Sequence, residues 1–147
     1  LDEYSEVTLL LIGDGSLRSK LEAAARDEGI ADRVAFIGHV ADVTPYYAAA
    51  DVFVLPSETE GLPVVTLEAM AASLPVVATD IPGVNKVVVD RGTGRLVPPG
   101  DVKAFASAMV ECVNPDTRDT FGIAGNRRVS ETFSIDTVTA AYVNLYH

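Results

Sequence analysis

The chain has 147 residues, 48% of them hydrophobic, and it carries 21 acidic against 11 basic side chains, which gives a net charge of −10. Its length suits one domain with a substantial buried core. The acidic excess disfavours non-specific nucleic-acid binding, which depends on lysine and arginine, and no apolar run approaches the roughly 20 residues of a membrane span.

The N-terminal part of the chain alternates between strand and helix patterns. Residues 1–6 are acidic and lack both an initiator methionine and the basic-then-apolar layout of a signal peptide, so we expect the chain to belong to a longer protein. Residues 7–12 form an apolar run of strand length that ends at the sequence GDG. A helical pattern follows and ends at Gly29, and residues 34–37 form a second short strand that closes at Gly38.

The rest of the chain continues this alternation and then becomes helical. Strands are predicted at residues 52–55, 74–79 and 94–97, and a turn at 80–83. Helices are predicted at 44–50 and 116–132, and two more begin after the N-caps Asp101 and Ser134. Short apolar strands that alternate with helices indicate a parallel sheet covered on both faces. We therefore predict one Rossmann-like α/β domain over residues 1–147, in which Tyr46 and Tyr47 pack the helix at 44–50 against the sheet.

The single cysteine bears on both packing and location. Cys112 lies on the apolar face of the helix that follows Asp101, so it is predicted to be a packed core residue rather than a reactive thiol. Because one cysteine has no partner for an internal disulfide, the composition favours a reducing, cytoplasmic compartment.

Three strand-to-helix turns are candidate ligand sites, since ligands of open parallel sheets bind beyond the carboxyl ends of the strands. They are residues 13–16, 38–40 and 57–63, and we expect all three at the same edge. The first has Arg18 at the third glycine position of a dinucleotide fingerprint, which disfavours a nicotinamide site and favours a tight turn into a helix. Such a turn is compatible with ligand binding if it also lines a cleft. In the second, we expect His39 at the edge of a bound base or at the surface rather than in catalysis. The absence of a Walker-type motif excludes a P-loop nucleotidase.

The third turn opens the most specific segment, SETEGLPVVTLEAMAA at residues 57–72. Glu60 lies in a loop after a strand, and Glu68 lies within the predicted helix. Pro63 suits the first turn of that helix, where its missing N–H would have no intrahelical partner. The free amides that follow Gly61 then form an anion site reinforced by the helix dipole.

The spacing of the two carboxylates indicates a ligand with hydroxyls as well as phosphates. Eight residues advance a helix by about 800°, some 80° past two turns, so Glu60 and Glu68 lie on roughly the same side. A carboxylate accepts hydrogen bonds from paired hydroxyls of a ribose or hexose. The alternative of two solvated acids at a helix start stays open, especially for Glu60, whereas Glu68 is flanked by apolar residues.

This segment and its flanks resemble the retaining glycosyltransferases of family four, the group 1 glycosyltransferases, which have the GT-B fold. The likeness consists of EGLP and EAMAA as an E-x7-E signature, IGDG at 12–15, VAFIGHV at 34–40, YAAADVFVLPS at 47–57, LPVVATD at 74–80 and GTGRLVPPGD at 92–101. These pieces span nearly the whole chain in the expected order. The resemblance implies the C-terminal, donor-binding half of a two-domain enzyme.

The resemblance also implies an activity and a role for individual residues. The full enzyme, a hexosyltransferase of polysaccharide or glycolipid synthesis, would move a sugar from a nucleotide diphosphate-sugar to an acceptor with retention of configuration. Glu60 would contact hydroxyls of the transferred sugar at the catalytic centre, and Glu68 would hold the ribose hydroxyls. The other donor-binding residues would be Gly61, Leu62, Val64, Val65, Gly13, Gly15, Gly38, His39 and Val40. No metal or other cofactor is expected, since the helix start and basic side chains carry the diphosphate charge.

The chain also departs from the family pattern. Ser73 stands where glycine is usual, and Asn85 and Lys86 follow Gly83 where a Pro-Glu pair is common; we expect Lys86 to be solvated. The family's basic pair for the diphosphate lies upstream of the segment that residues 7–13 match, and the N-terminal acceptor domain is missing as well. Residues 1–147 by themselves are therefore expected to have little or no transferase activity.

Two alternatives stay open at the level of sequence. One is another nucleotide-sugar enzyme on the same scaffold, an epimerase or a phosphorylase, although none of the three lysines lies in a motif for the phosphorylase cofactor. The other is a non-catalytic module that binds nucleotide or mediates assembly. For the glycosyltransferase interpretation, we expect no nucleic-acid partner and no transmembrane segment, and peripheral membrane association of the full enzyme stays open.

Overall fold

The computed structural model describes residues 7–145 of the chain. Its elements are, in chain order, β1 (Leu9–Ile12), α1 (Arg18–Asp27), a 3-10 turn (Ala31–Arg33), β2 (Val34–Gly38), α2 (Thr44–Ala49), β3 (Phe53–Leu55), α3 (Val64–Ala71), β4 (Val76–Thr79), α4 (Val84–Val87), β5 (Gly94–Val97), α5 (Val102–Val113), α6 (Pro115–Arg128), a π-helical turn (Val129–Phe133) and α7 (Ile135–Leu145). The alternation of parallel strands and helices confirms the predicted α/β, Rossmann-like class. The elements form two compact units, one that ends at Val43 and one that begins at Thr44.

The first unit contains a two-stranded parallel sheet. Strands β1 and β2 pair from Leu9 with Val34 onward, and an irregular step then pairs Ile12 with Gly38. The amide of Gly13 donates to the carbonyl of Gly38 at 2.8 Å, so the turns after the two strands meet at the carboxyl edge, as predicted for this pair. Gly13 and Gly38 have φ values of 122° and 80°, a region that glycine enters at little cost.

The second unit contains a three-stranded parallel sheet with the order β3-β4-β5. Alternate residues of β4 point to opposite faces. Val76 and Ala78 pack with Met70 of α3 and the apolar residues of α4, whereas Val77 packs with Ala108 and Cys112 of α5. Helices thus cover both faces of this sheet, as predicted.

Strand β1 of the first unit is partly exposed along its length. Every second residue of this strand stays solvent-accessible, with Leu10 at 37% and Ile12 at 39% of full exposure. An apolar run of strand length does not distinguish one covered face from two, because both patterns consist of the same residue types.

The helix starts that the sequence indicated are confirmed by their capping hydrogen bonds. The Asp101 side chain accepts from the amide of Ala104 at 2.9 Å, and Ser134 Oγ accepts from the amide of Thr137 at 3.2 Å. Each bond satisfies one of the amides that a helix leaves unpaired at its first turn. Within residues 7–145, no helix is long and apolar enough to cross a membrane.

The boundary between α5 and α6 is a capped helix start rather than a simple break. Asn114 accepts hydrogen bonds from the amides of Asp116 at 3.1 Å and Thr117 at 3.4 Å, and Pro115 occupies the first turn.

Cys112, near the end of α5, is fully buried, and this burial raises the pKa of its thiol to about 11. The prediction of a packed core cysteine is therefore confirmed.

One helix lies outside the prediction, and one predicted helix end is wrong. A short helix, α4, follows the turn at 80–83 directly, although four residues of mixed character give too short a pattern to predict it. The polar helix predicted to reach residue 132 ends at Arg128 and continues as the π-helical turn. Arg128 itself donates from Nε to the Val87 carbonyl at 2.8 Å, so its side chain satisfies the end of α4.

Ser73 occupies a position at the end of α3 that favours glycine. The amide of Leu74 donates to the Ala69 carbonyl and that of Ser73 to the Met70 carbonyl, each at 3.0 Å, which is the Schellman pattern of helix termination. The residue after the C-cap of such a motif adopts the left-handed conformation, and Ser73 has a φ of 62°. This conformation explains why glycine is the usual residue here.

We expect Ser73→Gly to raise the free energy of unfolding by about 1 kcal/mol. The substitution removes a left-handed strain of roughly 1–2 kcal/mol, which the greater freedom of glycine in the unfolded chain partly offsets. Urea unfolding measures the change, and Ser73→Ala is the matched control because alanine keeps the strained Cβ. Equal stability of the glycine and alanine variants would show that this conformation carries no strain.

Candidate functional site

The helix α3 begins one residue later than predicted. Pro63 is its N-cap, with φ −75° and ψ 93°, and its carbonyl accepts from the amide of Thr66 at 3.0 Å. The extended ψ places Pro63 outside the helix, while its carbonyl already starts the intrahelical bonds. The amides of Val64 and Val65 at the first turn donate to no acceptor within the described part of the chain. Two of the free amides predicted for residues 61–65, those of Val64 and Val65, are therefore present at the start of α3.

Residues 57–63, which we call the glutamate loop, are held at the carboxyl edge of the second sheet. Ser57 Oγ donates to Glu60 Oε1 at 2.8 Å, and the hydroxyl of Thr79, at the end of β4, donates to the Ser57 carbonyl. Gly83 approaches the loop so closely that a Cβ there would overlap the Gly61 carbonyl oxygen and lie 2.8 Å from that of Glu60. The ends of β3 and β4 thus fix the backbone that carries Glu60.

The helix α3 buries one face and exposes the other. Thr66, Ala69 and Met70 are each 0% exposed. Val64, Val65 and Glu68 share the opposite face, since residues three and four apart are neighbours on a helix, and all three are exposed. Leu62, in the glutamate loop just before the helix, is 52% exposed. The predicted donor-binding residues of this unit therefore face solvent beside the free amides.

Glu68 has a partner that the sequence did not indicate. The hydroxyl of Tyr47, on α2, donates to Glu68 Oε2 at 3.1 Å and also lies 3.3 Å from the Val65 carbonyl oxygen. Burial, and then the hydrogen bond to Glu68 and its charge, raise the pKa of Tyr47 to about 12. The phenol therefore stays protonated and donating at neutral pH.

The predicted packing role of Tyr47 is also present. Its ring meets the ring of Phe53 on β3 edge-on, with centroids 6.0 Å apart. The sequence showed this role because an aromatic residue beside a strand is a common packing pattern. The bond to Glu68 joins residues 21 positions apart, and no periodicity or spacing rule links them.

In the first unit, the predicted residues lie in the two glycine turns. Gly15 donates its amide to Asp14 Oδ1 at 2.8 Å, which tightens the first turn. In the second turn, Gly38 is buried, His39 is exposed and Val40 is half-buried. An exposed His39 agrees with the predicted surface position. That these turns and the glutamate loop line one cleft stays a prediction.

Arg18 explains why the first turn departs from a dinucleotide fingerprint. Its guanidinium donates to the Phe36 carbonyl at 3.2 Å and pairs with Glu22 at 2.9 Å. The bond to Glu22 is the main cause that raises the pKa of this guanidinium above its ordinary value. The side chain ties α1 to the end of β2, a function that a third glycine would not supply.

The two residues that replace the usual Pro-Glu pair make no contact that indicates ligand binding. Asn85 donates to Asp80 Oδ1 at 3.0 Å, which closes the turn between β4 and α4. Lys86 is exposed, as predicted, and its backbone carbonyl accepts from Arg128 at 2.9 Å.

A family model described as "Glycosyl transferases group 1" matches residues 1–114 of the chain. Over 140 residues, the chain is 37% identical to a lipopolysaccharide core biosynthesis glycosyltransferase, LpsE, from Rhizobium meliloti, and the match covers 95% of this chain and 41% of that protein. The chain thus spans well under half the length of this relative.

Solved structures agree with the sequence match. HepE from Anabaena, in a crystal structure with UDP, superposes with a TM-score of 0.89 at 26% identity, over 97% of this chain and 41% of that one. The C-terminal domain of a group 1 glycosyltransferase, LpcC, from Francisella tularensis superposes with a TM-score of 0.82 at 28% identity, over 92% of this chain and 74% of that one.

Proposed function

Because the chain belongs to the group 1 glycosyltransferases, we propose that it is the donor-binding half of an enzyme that transfers a sugar from a nucleoside diphosphate-sugar to an acceptor, with retention of configuration. The observation that carries this proposal is the exposed face of α3. There Glu68 and two free backbone amides follow directly on the glutamate loop with Glu60. The UDP in the Anabaena structure supports a nucleotide as the ligand.

The diphosphate of the donor binds at the start of α3 in this proposal. The amides of Val64 and Val65 are unpaired N–H groups of the first turn, which point along the helix axis beyond its N-terminus, and the helix dipole adds positive potential at the same end. This potential is needed, since the chain as a whole carries a net charge of −10. We assign the charge on the leaving diphosphate to these amides and to basic side chains, without a metal ion.

The two carboxylates divide the hydroxyl groups of the donor between them. Glu68 binds the ribose: its Oε2 accepts from Tyr47, while no described side chain or amide donates to Oε1, which is left to accept from a ligand hydroxyl. Glu60 contacts the hydroxyls of the transferred sugar, and the bond from Ser57 fixes the direction of its carboxylate. Such fixed geometry matters because a catalytic group acts only when held close to its reacting partner.

The acceptor binds outside this chain in the proposal. The Francisella structure is a C-terminal domain of the same family, and the chain covers most of it. Residues 1–147 then form one nucleotide-sugar-binding domain, and a separate N-terminal domain binds the acceptor. A transfer assay on residues 1–147 with several donors and acceptors is expected to yield no product, and turnover by this chain would contradict the two-domain proposal.

Calorimetry with UDP, GDP and ADP tests the donor site. We expect one of them to bind, and Glu68→Ala to weaken that binding about 5- to 150-fold, the equivalent of the 1–3 kcal/mol that a lost hydrogen bond to a charged group costs. Glu131→Ala is the matched control, because it removes an exposed carboxylate from the π-helical turn and changes the net charge equally.

Three results would contradict the proposed donor site. An unchanged affinity in Glu68→Ala would remove the ribose role of this residue. Equal weakening in Glu131→Ala would show that only net charge matters. Failure of all three nucleotides to bind the parent chain would favour the non-catalytic assembly module.

A further inference from the structure

We propose that the Tyr47 hydroxyl positions Glu68 for the ribose of the donor and so contributes to the affinity for the nucleotide. This inference rests on the proposed function, since it deepens the role assigned to Glu68. Tyr47 itself touches no ligand in the proposal and acts through the carboxylate.

The first step is that both acceptors of the Tyr47 hydroxyl lie on the same face of α3. The hydroxyl is 3.1 Å from Glu68 Oε2 and 3.3 Å from the Val65 carbonyl oxygen. Residues 65 and 68 are three positions apart, which makes them neighbours on the helix surface. The one phenolic hydrogen is shared between these two acceptors, so the hydroxyl lies at the helix surface between them and holds the carboxylate beside the helix backbone.

The second step is that the position of the phenol is itself fixed. The Tyr47 ring is half-buried and packs edge-on against Phe53 of β3, with an angle of 67° between the ring planes. Edge-to-face contact of this kind holds an aromatic ring in a defined orientation. The hydroxyl thus reaches Glu68 from a ring that packs on the sheet.

The third step concerns what an exposed glutamate lacks without such a partner. Glu68 is solvent-exposed, and a free glutamate side chain occupies several rotamers. Binding a ribose then costs the freedom of that side chain. A neutral phenol that occupies Oε2 reduces this cost and leaves Oε1 to accept from the sugar hydroxyl. The hydroxyl therefore preorganises one carboxylate oxygen by holding the other.

The experiment compares two ligands on two variants of the chain. Binding of UDP, or of whichever nucleoside diphosphate binds best, is measured by calorimetry beside its 2′,3′-dideoxy form, which lacks the hydroxyls that Glu68 would hold. Tyr47→Phe keeps the ring and removes only the hydroxyl. Tyr46→Phe is the matched control, because the Tyr46 hydroxyl has no hydrogen-bond partner among residues 7–145.

We expect Tyr47→Phe to weaken binding of the ribose-bearing nucleotide about 3- to 10-fold, the range of one hydrogen bond. The dideoxy form should bind the parent chain and Tyr47→Phe with affinities within about twofold of each other. Tyr46→Phe should change the affinity for neither nucleotide. In a Glu68→Ala background, Tyr47→Phe should have no further effect, since coupled residues do not contribute independently. Circular dichroism and thermal melts confirm that each variant is folded.

Each other outcome overturns the inference in a distinct way. Equal weakening of both nucleotides in Tyr47→Phe assigns the tyrosine to packing of α2 on α3 alone. If Tyr47→Phe prefers the ribose-bearing nucleotide over the dideoxy form as strongly as the parent chain does, the hydroxyl does not position Glu68. If the parent chain binds the ribose and dideoxy forms equally, the ribose role of Glu68 fails while donor binding stands. If the parent chain binds neither, the proposed function fails together with this inference.

Discussion

A Gly83→Ala variant is expected to lose about 2–5 kcal/mol of folding free energy and at least about tenfold in nucleotide affinity. Gly83 has a φ of 97°, where a side chain adds a strain of roughly 1–2 kcal/mol. Its Cβ would also overlap the Gly61 carbonyl oxygen, and overpacking of this kind costs about 1–3 kcal/mol. The Cβ would meet the backbone carbonyl oxygens of Gly61 and Glu60, so the overlap is relieved only when the glutamate loop moves away.

That movement would affect the site directly. The loop carries Glu60 and leads into the free amides of α3, so a shift of its backbone changes the positions of both. A displacement of about 1 Å in a catalytic site can cost on the order of 100-fold in rate. Nucleotide calorimetry and urea unfolding on the same variant therefore measure the two consequences of one steric change.

Gly100→Ala separates backbone strain from the clash. Gly100 has a φ of 81°, and a Cβ there would meet no atom within 4 Å. This control should therefore lose only the strain, about 1–2 kcal/mol, and should bind nucleotide like the parent chain. If Gly83→Ala were no less stable than Gly100→Ala and bound nucleotide normally, the close contact with the glutamate loop would have no role.

A Gly94→Ala variant is expected to lose about 3 kcal/mol or more, enough to unfold a chain of marginal stability. Gly94 begins β5 and pairs with Val76 of the central strand. A Cβ at this position would overlap the Val76 carbonyl oxygen and lie 3.0 Å from its amide nitrogen. Val76 is fully buried, so β4 has no room to retreat without disturbing the core.

Gly92→Ala is the matched control for this position. The nearest atom to a Cβ on Gly92 is a Val89 side-chain methyl at 3.0 Å, and Val89 is 43% exposed. A partly exposed side chain can rotate, so this variant should lose less than about 1 kcal/mol. Urea unfolding measures both stabilities, and the comparison holds when the unfolding free energy depends on urea concentration with the same slope in the two variants. Similar stabilities of the two variants would show that β5 can shift along β4 at little cost.

Much of the fold followed from local patterns in the sequence. The strand at 94–97 was predicted with its observed bounds, and the caps Asp101 and Ser134 with their observed bonds. These features are local because a strand repeats every two residues and a cap satisfies amides two or three positions ahead. The position of Glu68 relative to the free amides at the start of α3 is predictable for the same reason, since helical geometry relates residues of one helix.

The contacts that hold the site together were decided by the tertiary structure. Tyr47 meets Glu68 across 21 positions of sequence, and Thr79 meets the Ser57 carbonyl across 22. Gly83, the N-cap of α4, approaches the glutamate loop, which belongs to an earlier part of the chain. Hydrophobic periodicity specifies which face of an element is buried, but not which residue of another element it meets. By itself, the sequence predicted the class of fold, which the structure confirms, and it supplied the hypothesis that the two glutamates bind hydroxyls of a donor. Their partners depend on how elements distant in the chain pack together, and only the tertiary structure shows this.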